Sequence, residues 1–160
     1  MPRLPRTASA EAVVGAPPEA VWSLLTDVTR VGEWSHEARG ARWTRGEGAE
    51  AGNVFRGTNR LGQLRWARPC TVTIAEAPYR FAYRTDGGLA GDATEWSFEL
   101  AAEGGGTRIR ETYQIHAMPR MLELAVVRLM PSHLDRGPAL AGDLERLGAL
   151  AASEGPKGGS

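Results

Sequence analysis

Residues 54–74, VFRGTNRLGQLRWARPCTVTI, alternate apolar and polar side chains around a Gly62-Gln63 pair, and no other stretch restricts the fold so tightly. A half-buried β-strand turns every second residue toward the core. Leu64, Trp66, Arg68, Cys70, Val72 and Ile74 then fall on one face, and Arg65, Ala67, Thr71 and Thr73 on the other. Glycine at the first central position suits a two-residue type II′ turn, which pairs Leu61 with Leu64, Asn59 with Trp66, Gly57 with Arg68 and Phe55 with Cys70. Directly opposed residues share a face, so Phe55 and Leu61 join the apolar set. Asn59 and Arg68 join it too, and Gly57 leaves room for the long Arg68 side chain. Polar groups set into an apolar wall indicate a lined cavity more than a solid core. One condition attaches: proline in a strand marks an edge or a bulge, and a bulge at Pro69 would turn Arg68 to solvent.

The chain has 160 residues, enough for one domain with a real core. Its 19 Lys plus Arg balance 19 Asp plus Glu, so it shows no basic footprint for nucleic acid or an anionic membrane. The single cysteine, Cys70, excludes an internal disulfide and suits a reducing compartment. No apolar run approaches the ~20 residues of a membrane-spanning helix, and the opening MPRLPRTASAEA has no signal-type apolar segment. A soluble, cytoplasmic protein, monomeric or homodimeric, is expected. One domain over 1–153 is expected, with 154–160, EGPKGGS, as a disordered tail because it has nothing to bury.

Along the chain, residues 7–15 alternate weakly and read as a first strand. Pro17-Pro18-Glu19 opens a helix whose stripe is Val21, Trp22, Leu24, Leu25 and Val28, and a second short helix or turn ends near Trp34 to Glu37. Strand patterns follow at 41–44, 53–61, 64–76, 80–85, 94–102 and 107–116, with short Pro- and Gly-containing connections between the later ones. Such connections make a meander of antiparallel hairpins. In the last hairpin Trp96, Phe98 and Leu100 alternate with charged residues, and Glu111 falls on the apolar side of its strand with Ile109, Tyr113 and Ile115. Residues 118–130 are helical in character. Ser132 is placed to cap a long last helix with Leu140, Leu144, Leu147 and Ala151 on its apolar face and Asp143 largely elsewhere. The order is α+β: about seven antiparallel strands in a curved sheet around a long C-terminal helix, with two short helices between strands 1 and 2.

APPEAVWSLLTDVTRVGEW, FRGTNRLGQLRW, TEWSFEL and GTRIRETYQI, in this order before a long last helix, resemble the SRPBCC superfamily of START-like and Bet v 1-like helix-grip proteins. The branch most similar is that of polyketide cyclases, dehydrases and lipid-transport proteins, and the resemblance covers residues 8–152. It implies a deep, mainly apolar cavity between sheet and last helix, and the binding, transport or sequestration of a hydrophobic ligand such as a lipid or polyketide-like compound. It implies no universal catalytic residue and no cofactor. The alternative is an enzyme, a cyclase, aromatase or dehydratase acting on such a compound, with Arg68 polarising a carbonyl and Glu111 or His36 moving a proton.

The candidate lining residues are Trp34, Phe55, Asn59, Trp66, Arg68, Tyr83, Trp96, Phe98, Glu111, Tyr113, Met118 and Met121. Arg68 and Glu111 stand out because a buried, unpartnered charge costs several kcal/mol. They form a structural ion-pair or water-bridged network, or they serve a ligand; about 14 Å of flat sheet separates their strands. Asn59 can orient a ligand carbonyl or hydroxyl, or satisfy nearby backbone. His36, Glu37 and His133 can meet at the cavity mouth as acid and base, or cap helices; their spacing fits no metal motif. Cys70 reads as a small buried apolar group.

Overall fold

The structure, a computed structural model, describes residues 2–154. Strand β1 (Thr7–Val14) leads to helix α1 (Pro18–Thr26) and a 3-10 turn (Val28–Glu33). Strands β2 (Ala38–Arg45), β3 (Val54–Leu61), β4 (Leu64–Glu76), β5 (Arg80–Asp86), β6 (Ala93–Glu103) and β7 (Gly106–Ala117) follow. Helix α2 (Arg120–Leu129), a second 3-10 turn (Pro131–Leu134) and helix α3 (Gly137–Glu154) complete the described chain. Each strand after β2 pairs with the one before it, and β7 returns beside β1, which gives one antiparallel sheet in the order β1-β7-β6-β5-β4-β3-β2. This is the α+β helix-grip arrangement. Glu154 is the last residue of α3, and residues 155–160, the rest of the expected tail, lie outside the described residues.

The β3–β4 hairpin has the register that its turn chemistry implies: Leu61 opposes Leu64, Asn59 opposes Trp66, Gly57 opposes Arg68 and Phe55 opposes Cys70. Gly62 takes φ +60°, the left-handed value that the first central position of the turn requires. Pro69 opposes Arg56 without interrupting this ladder. The β4–β5 ladder starts one residue later, at Cys70 and Thr85, so at position 69 strand β4 has a neighbour on one side only, the edge-like setting a strand proline needs. Arg68 therefore keeps the inward side.

The bulge lies further along, between Val72 and Ile74. Val72 opposes Tyr83, but Ala75 rather than Ile74 opposes Phe81. An inserted residue resets the two-residue period and increases local twist. Ile74 accordingly leaves the concave face to which the alternation assigned it, and Ala75 packs against the core in its place.

The long helix begins at Gly137 rather than at Ser132, which belongs to the 3-10 turn. Pro138 has no N–H to donate and fits only a first helical turn, so the helix starts beside it. Its buried stripe is Leu140, Asp143, Leu144, Leu147, Gly148 and Ala151, spaced by three and four residues as one helical face demands. Asp143 thus lies on the buried face, three residues from Leu140 and four from Leu147, and not away from it. Helix α2 is tied to the N-terminal segment through buried Glu123, which accepts from the Leu4 N–H and from Arg120 Nη1, each at 3.1 Å.

At Gly148 α3 comes as close to β1 as a side chain allows, since a Cβ there would lie 2.1 Å from Val14 Cγ1 and 2.4 Å from Val14 Cβ. Alanine would raise helix propensity by at most about 1 kcal/mol, whereas overpacking a rigid contact costs about 1–3 kcal/mol, and the Val14 Cβ cannot rotate away. The G148A variant is expected to unfold at lower urea concentration with an unchanged m-value; an unchanged or higher midpoint would show that α3 does not grip the sheet at this point.

Candidate functional site

Inward-facing alternate residues of β3 to β7, together with the 34–37 segment, α2 and the start of α3, enclose a cavity of about 390 Å³. Aromatic rings from β3, β5, β6 and β7 pave it: Trp96 and Tyr113 oppose each other on neighbouring strands, Phe81 and Tyr83 are alternate residues of β5, and Phe55 reaches Tyr83 across Cys70 and Val72 of β4. Phe55 meets Tyr83 at 5.1 Å between centroids, Phe81 meets Tyr83 at 5.8 Å and Trp96 meets Tyr113 at 5.3 Å. Phe98, Trp34, Trp66, Asn59 and Met118 also line the space, as do Arg68, Glu111 and His36. Met121 does not: it is 79% exposed on the outer side of α2, because the α2 residues that turn inward are Leu122, Ala125, Val126 and Leu129. Met130, beyond the end of α2, does line it.

Polar side chains on the wall form two groups. In the first, the Arg68 guanidinium donates from Nε and Nη2 to the two carboxylate oxygens of Asp92, each at 3.2 Å. A bidentate pair of this kind satisfies the Arg68 guanidinium. Arg68 and Glu111 do not meet, since β5 and β6 lie between their strands.

In the second group the 34–37 segment is fastened to α3 and the turn before it. Asp143 accepts from the His36 backbone N–H at 2.8 Å, contacts His36 Nδ1 at 2.7 Å and is paired with Arg146. Arg146 also donates from Nε to the Trp34 carbonyl at 3.0 Å. Glu37 contacts His133 Nε2 at 2.6 Å and accepts from Arg136 Nη2 at 2.7 Å. The Arg136 guanidinium lies over the rings of Trp96 and Tyr113, 5.0 and 5.3 Å from their centroids, within cation–π range. His36, Glu37 and His133 do meet near one place, but each histidine takes a carboxylate as its partner and none is a helix cap. Among the described residues no cluster of His, Cys, Asp and Glu is arranged to hold a metal ion.

The two buried glutamates on the cavity wall, Glu37 and Glu111, have opposite electrostatics. Burial works to raise the Glu37 carboxyl, but the His133 hydrogen bond and the charges of Arg136, His133 and His36 outweigh it and hold the group below the usual carboxylate range. Glu111, 4% exposed, opposes Ala10 on one side and Phe98 on the other. Burial first and the Asp143 charge second push its carboxyl up to about 8, and Arg136 only partly offsets them. It is a neutral acid at pH 7. Burial also pushes the Cys70 thiol up to about 12, so this residue is an inert packing group and not a nucleophile.

A family model described as polyketide cyclase/dehydrase and lipid transport matches residues 5–151. The chain belongs to this family. Solved structures similar to this polyketide cyclase/dehydrase family member share its fold across nearly the whole chain. A Thermus thermophilus protein, TTHA0849, is 19% identical with a TM-score of 0.69, covering 92% of this chain and 98% of its own. The polyketide-cyclase-like protein of Corynebacterium glutamicum is 22% identical with a TM-score of 0.63, covering 96% of this chain and 95% of its own. The major latex-like protein 151 of Panax ginseng is only 9% identical yet has a TM-score of 0.69, covering 91% of this chain and 96% of its own. At such identities the likeness extends to the fold alone. No curated protein matches this family member by sequence.

Asp92, Arg136 and Asp143, three charged residues of this wall, were not among the residues expected there from the sequence. Asp143 was expected largely off the apolar face of the last helix, although its spacing of three from Leu140 and four from Leu147 is the signal that places it on the buried stripe. Asp92 and Arg136 sit in connections, where no periodicity marks which way a side chain turns.

Glu111 sets a pH dependence with a definite sign. Its folded pKa, about 8, lies above the unfolded value of 4.5, so its stabilising protonation is complete below about pH 4.5 and is lost as pH rises to about 8. Wild type should lose on the order of a few kcal/mol over that window relative to E111Q, read as urea midpoints of both proteins. The Glu37 contribution, from a carboxyl held below the usual range, falls at lower pH. Parallel midpoints for the two proteins would show that Glu111 ionises normally.

Proposed function

We propose that this protein binds a hydrophobic small molecule, lipid-like or ring-bearing, inside the cavity, and acts as a carrier or sequestering protein for it. The observation that carries the reading is the cavity itself: about 390 Å³ walled by Trp34, Phe55, Trp66, Tyr83, Trp96 and Tyr113, with a few polar groups set among them. Small-molecule sites have this volume range and this make-up, an apolar and aromatic lining with sparse polar groups that orient the ligand. The family description names lipid transport alongside cyclase and dehydrase activities. Access through the rim formed by Met118, Met130 and the His36 segment fits the placement of those residues on the lining. A cytoplasmic setting suits the lone, buried Cys70, and no helix among the described residues is long and apolar enough to cross a membrane.

One observation favours a second reading, an enzyme of the cyclase, aromatase or dehydratase type. Glu111 is a carboxylic acid held neutral at pH 7 inside the cavity, the state required of a general acid. In that reading Arg68 is the weaker carbonyl polariser, because Asp92 already occupies its guanidinium.

The carrier reading is tested with N-phenyl-1-naphthylamine, an uncharged apolar dye. Its fluorescence should rise saturably on titration with the protein. W96A and W66A should each weaken binding by about tenfold, since truncating a half-buried indole that lines the cavity removes about 1.5 kcal/mol of apolar contact. Equal affinity in wild type and both variants would show that the dye binds outside the cavity.

A further inference from the structure

Among the described residues, three buried side-chain atoms have no hydrogen-bond partner in the protein: Trp34 Nε1, Glu111 Oε2 and Arg136 Nε. All three residues line the cavity. A buried polar atom left unpaired costs about 1–3 kcal/mol, so three at one site add up to a substantial fraction of a domain's stability. The same chain satisfies deeply buried polar groups elsewhere. Glu123, 1% exposed, has the Leu4 N–H and Arg120, and the fully buried Thr107 hydroxyl donates to the Ala16 carbonyl at 2.7 Å.

The three residues share one corner. Trp34 meets Phe98 edge-on with centroids 6.4 Å apart, and Phe98 is the direct cross-strand neighbour of Glu111. Arg136 covers Tyr113, the next inward residue along β7, about 7 Å from Glu111 by strand geometry. The Arg136 charge acts on Glu111, as does that of Asp143.

The indole and the guanidinium supply N–H donors and no acceptor. A protonated carboxyl adds an O–H donor. The corner therefore lacks an acceptor oxygen. Charge selects which kind. Arg136 is already paired to Glu37 through Nη2, and burial and the Asp143 charge disfavour negative charge at Glu111 more than Arg136 favours it; the same surroundings disfavour an anionic ligand head.

We propose that this corner is a subsite for an uncharged carbonyl oxygen at the end of an otherwise apolar ligand, held by Trp34 Nε1–H, Arg136 Nε–H and the Glu111 carboxyl. This rests on the binding reading above and adds a selectivity to it: ketones, aldehydes and quinones over hydrocarbons of equal shape, and over carboxylates. It holds for a carrier and for an enzyme alike, since a carbonyl so held is both oriented and polarised.

The test is isothermal titration calorimetry of the full chain with three probes of one shape: 2-acetylnaphthalene, 2-isopropenylnaphthalene and 2-naphthoate. The ketone should bind about tenfold more tightly than the isopropenyl compound, the equivalent of about 1.4 kcal/mol, with naphthoate weakest. W34F should weaken the ketone more than the isopropenyl compound and so reduce the ketone's advantage, a difference that separates a lost hydrogen bond from a pocket damaged for both probes alike. E111Q, which keeps a donor and an acceptor, should retain the advantage. Equal affinity of wild type for the two neutral probes overturns the carbonyl subsite and leaves hydrophobic binding intact. Tighter binding of naphthoate overturns the neutral-head assignment. Saturable binding of none of the three overturns both the subsite and the reading it rests on. The wild-type measurements decide these outcomes even if a variant fails to fold.

Discussion

Two buried carboxylates, Glu37 and Asp143, position everything at the polar end of the cavity. Glu37 joins residues 96 and 99 positions away in sequence, and Asp143 reaches back 107 positions to His36. Each is almost fully buried, so each needs its partners: removing one side of a buried ion pair costs about 3–5 kcal/mol because the other is left charged and unsolvated. The consequence is geometric as much as energetic. The 34–37 segment, the second 3-10 turn and the start of α3 form one fastened unit, and Arg136 is drawn over Trp96 and Tyr113 as part of it. His36 and His133 are fastened into this unit through Asp143 and Glu37.

The concave face of the sheet does two jobs, and side-chain size decides where each is done. On β1 the inward residues are Ala8, Ala10, Ala12 and Val14, small enough for α3 to lie close, with Gly148 at the tightest point. There Leu144 and Leu147 fill the space completely. Toward β3 and β4 the inward residues are larger and include Asn59, Trp66 and Arg68, and α2 covers them without filling the volume between. Glu111 stands at the boundary, with Ala10 on its packed side and Phe98 on its other. That location explains how a carboxyl is buried deeply enough to stay neutral and still face the open space. The outer face contributes little energetically: pairs such as Arg108 with Glu11 and Glu103 are near half-exposed, where water screens them.

The hairpin register was legible because it depends on two local properties, the period of two along a strand and the backbone freedom of Gly62. The same locality explains the strand count and the element order. It fails at Ile74, where a bulge set by the pairing of β4 with β5 shifts the faces. It fails at Met121 because the residues of α2 that turn inward are chosen by what the helix packs against. Pro69 could have reversed the face of Arg68, and the outcome depended on where the β5 ladder stops, a property of the neighbouring strand. Asp143 is a different case, since its spacing from Leu140 and Leu147 already placed it on the buried face.

By itself, then, the sequence determined the helix-grip architecture, the aromatic wall and the presence of Arg68 and Glu111 on its inner side, because periodicity and turn chemistry act between residues near in sequence. Tertiary structure decided which charges are partnered and which are left with free valences. Arg68 went to Asp92, Glu37 to His133 and Arg136, and Asp143 to His36 and Arg146, while Trp34, Glu111 and Arg136 each kept an unused polar atom. Electrostatic pairing and desolvation depend on distance in space, and only the folded sheet and helices bring these groups within reach.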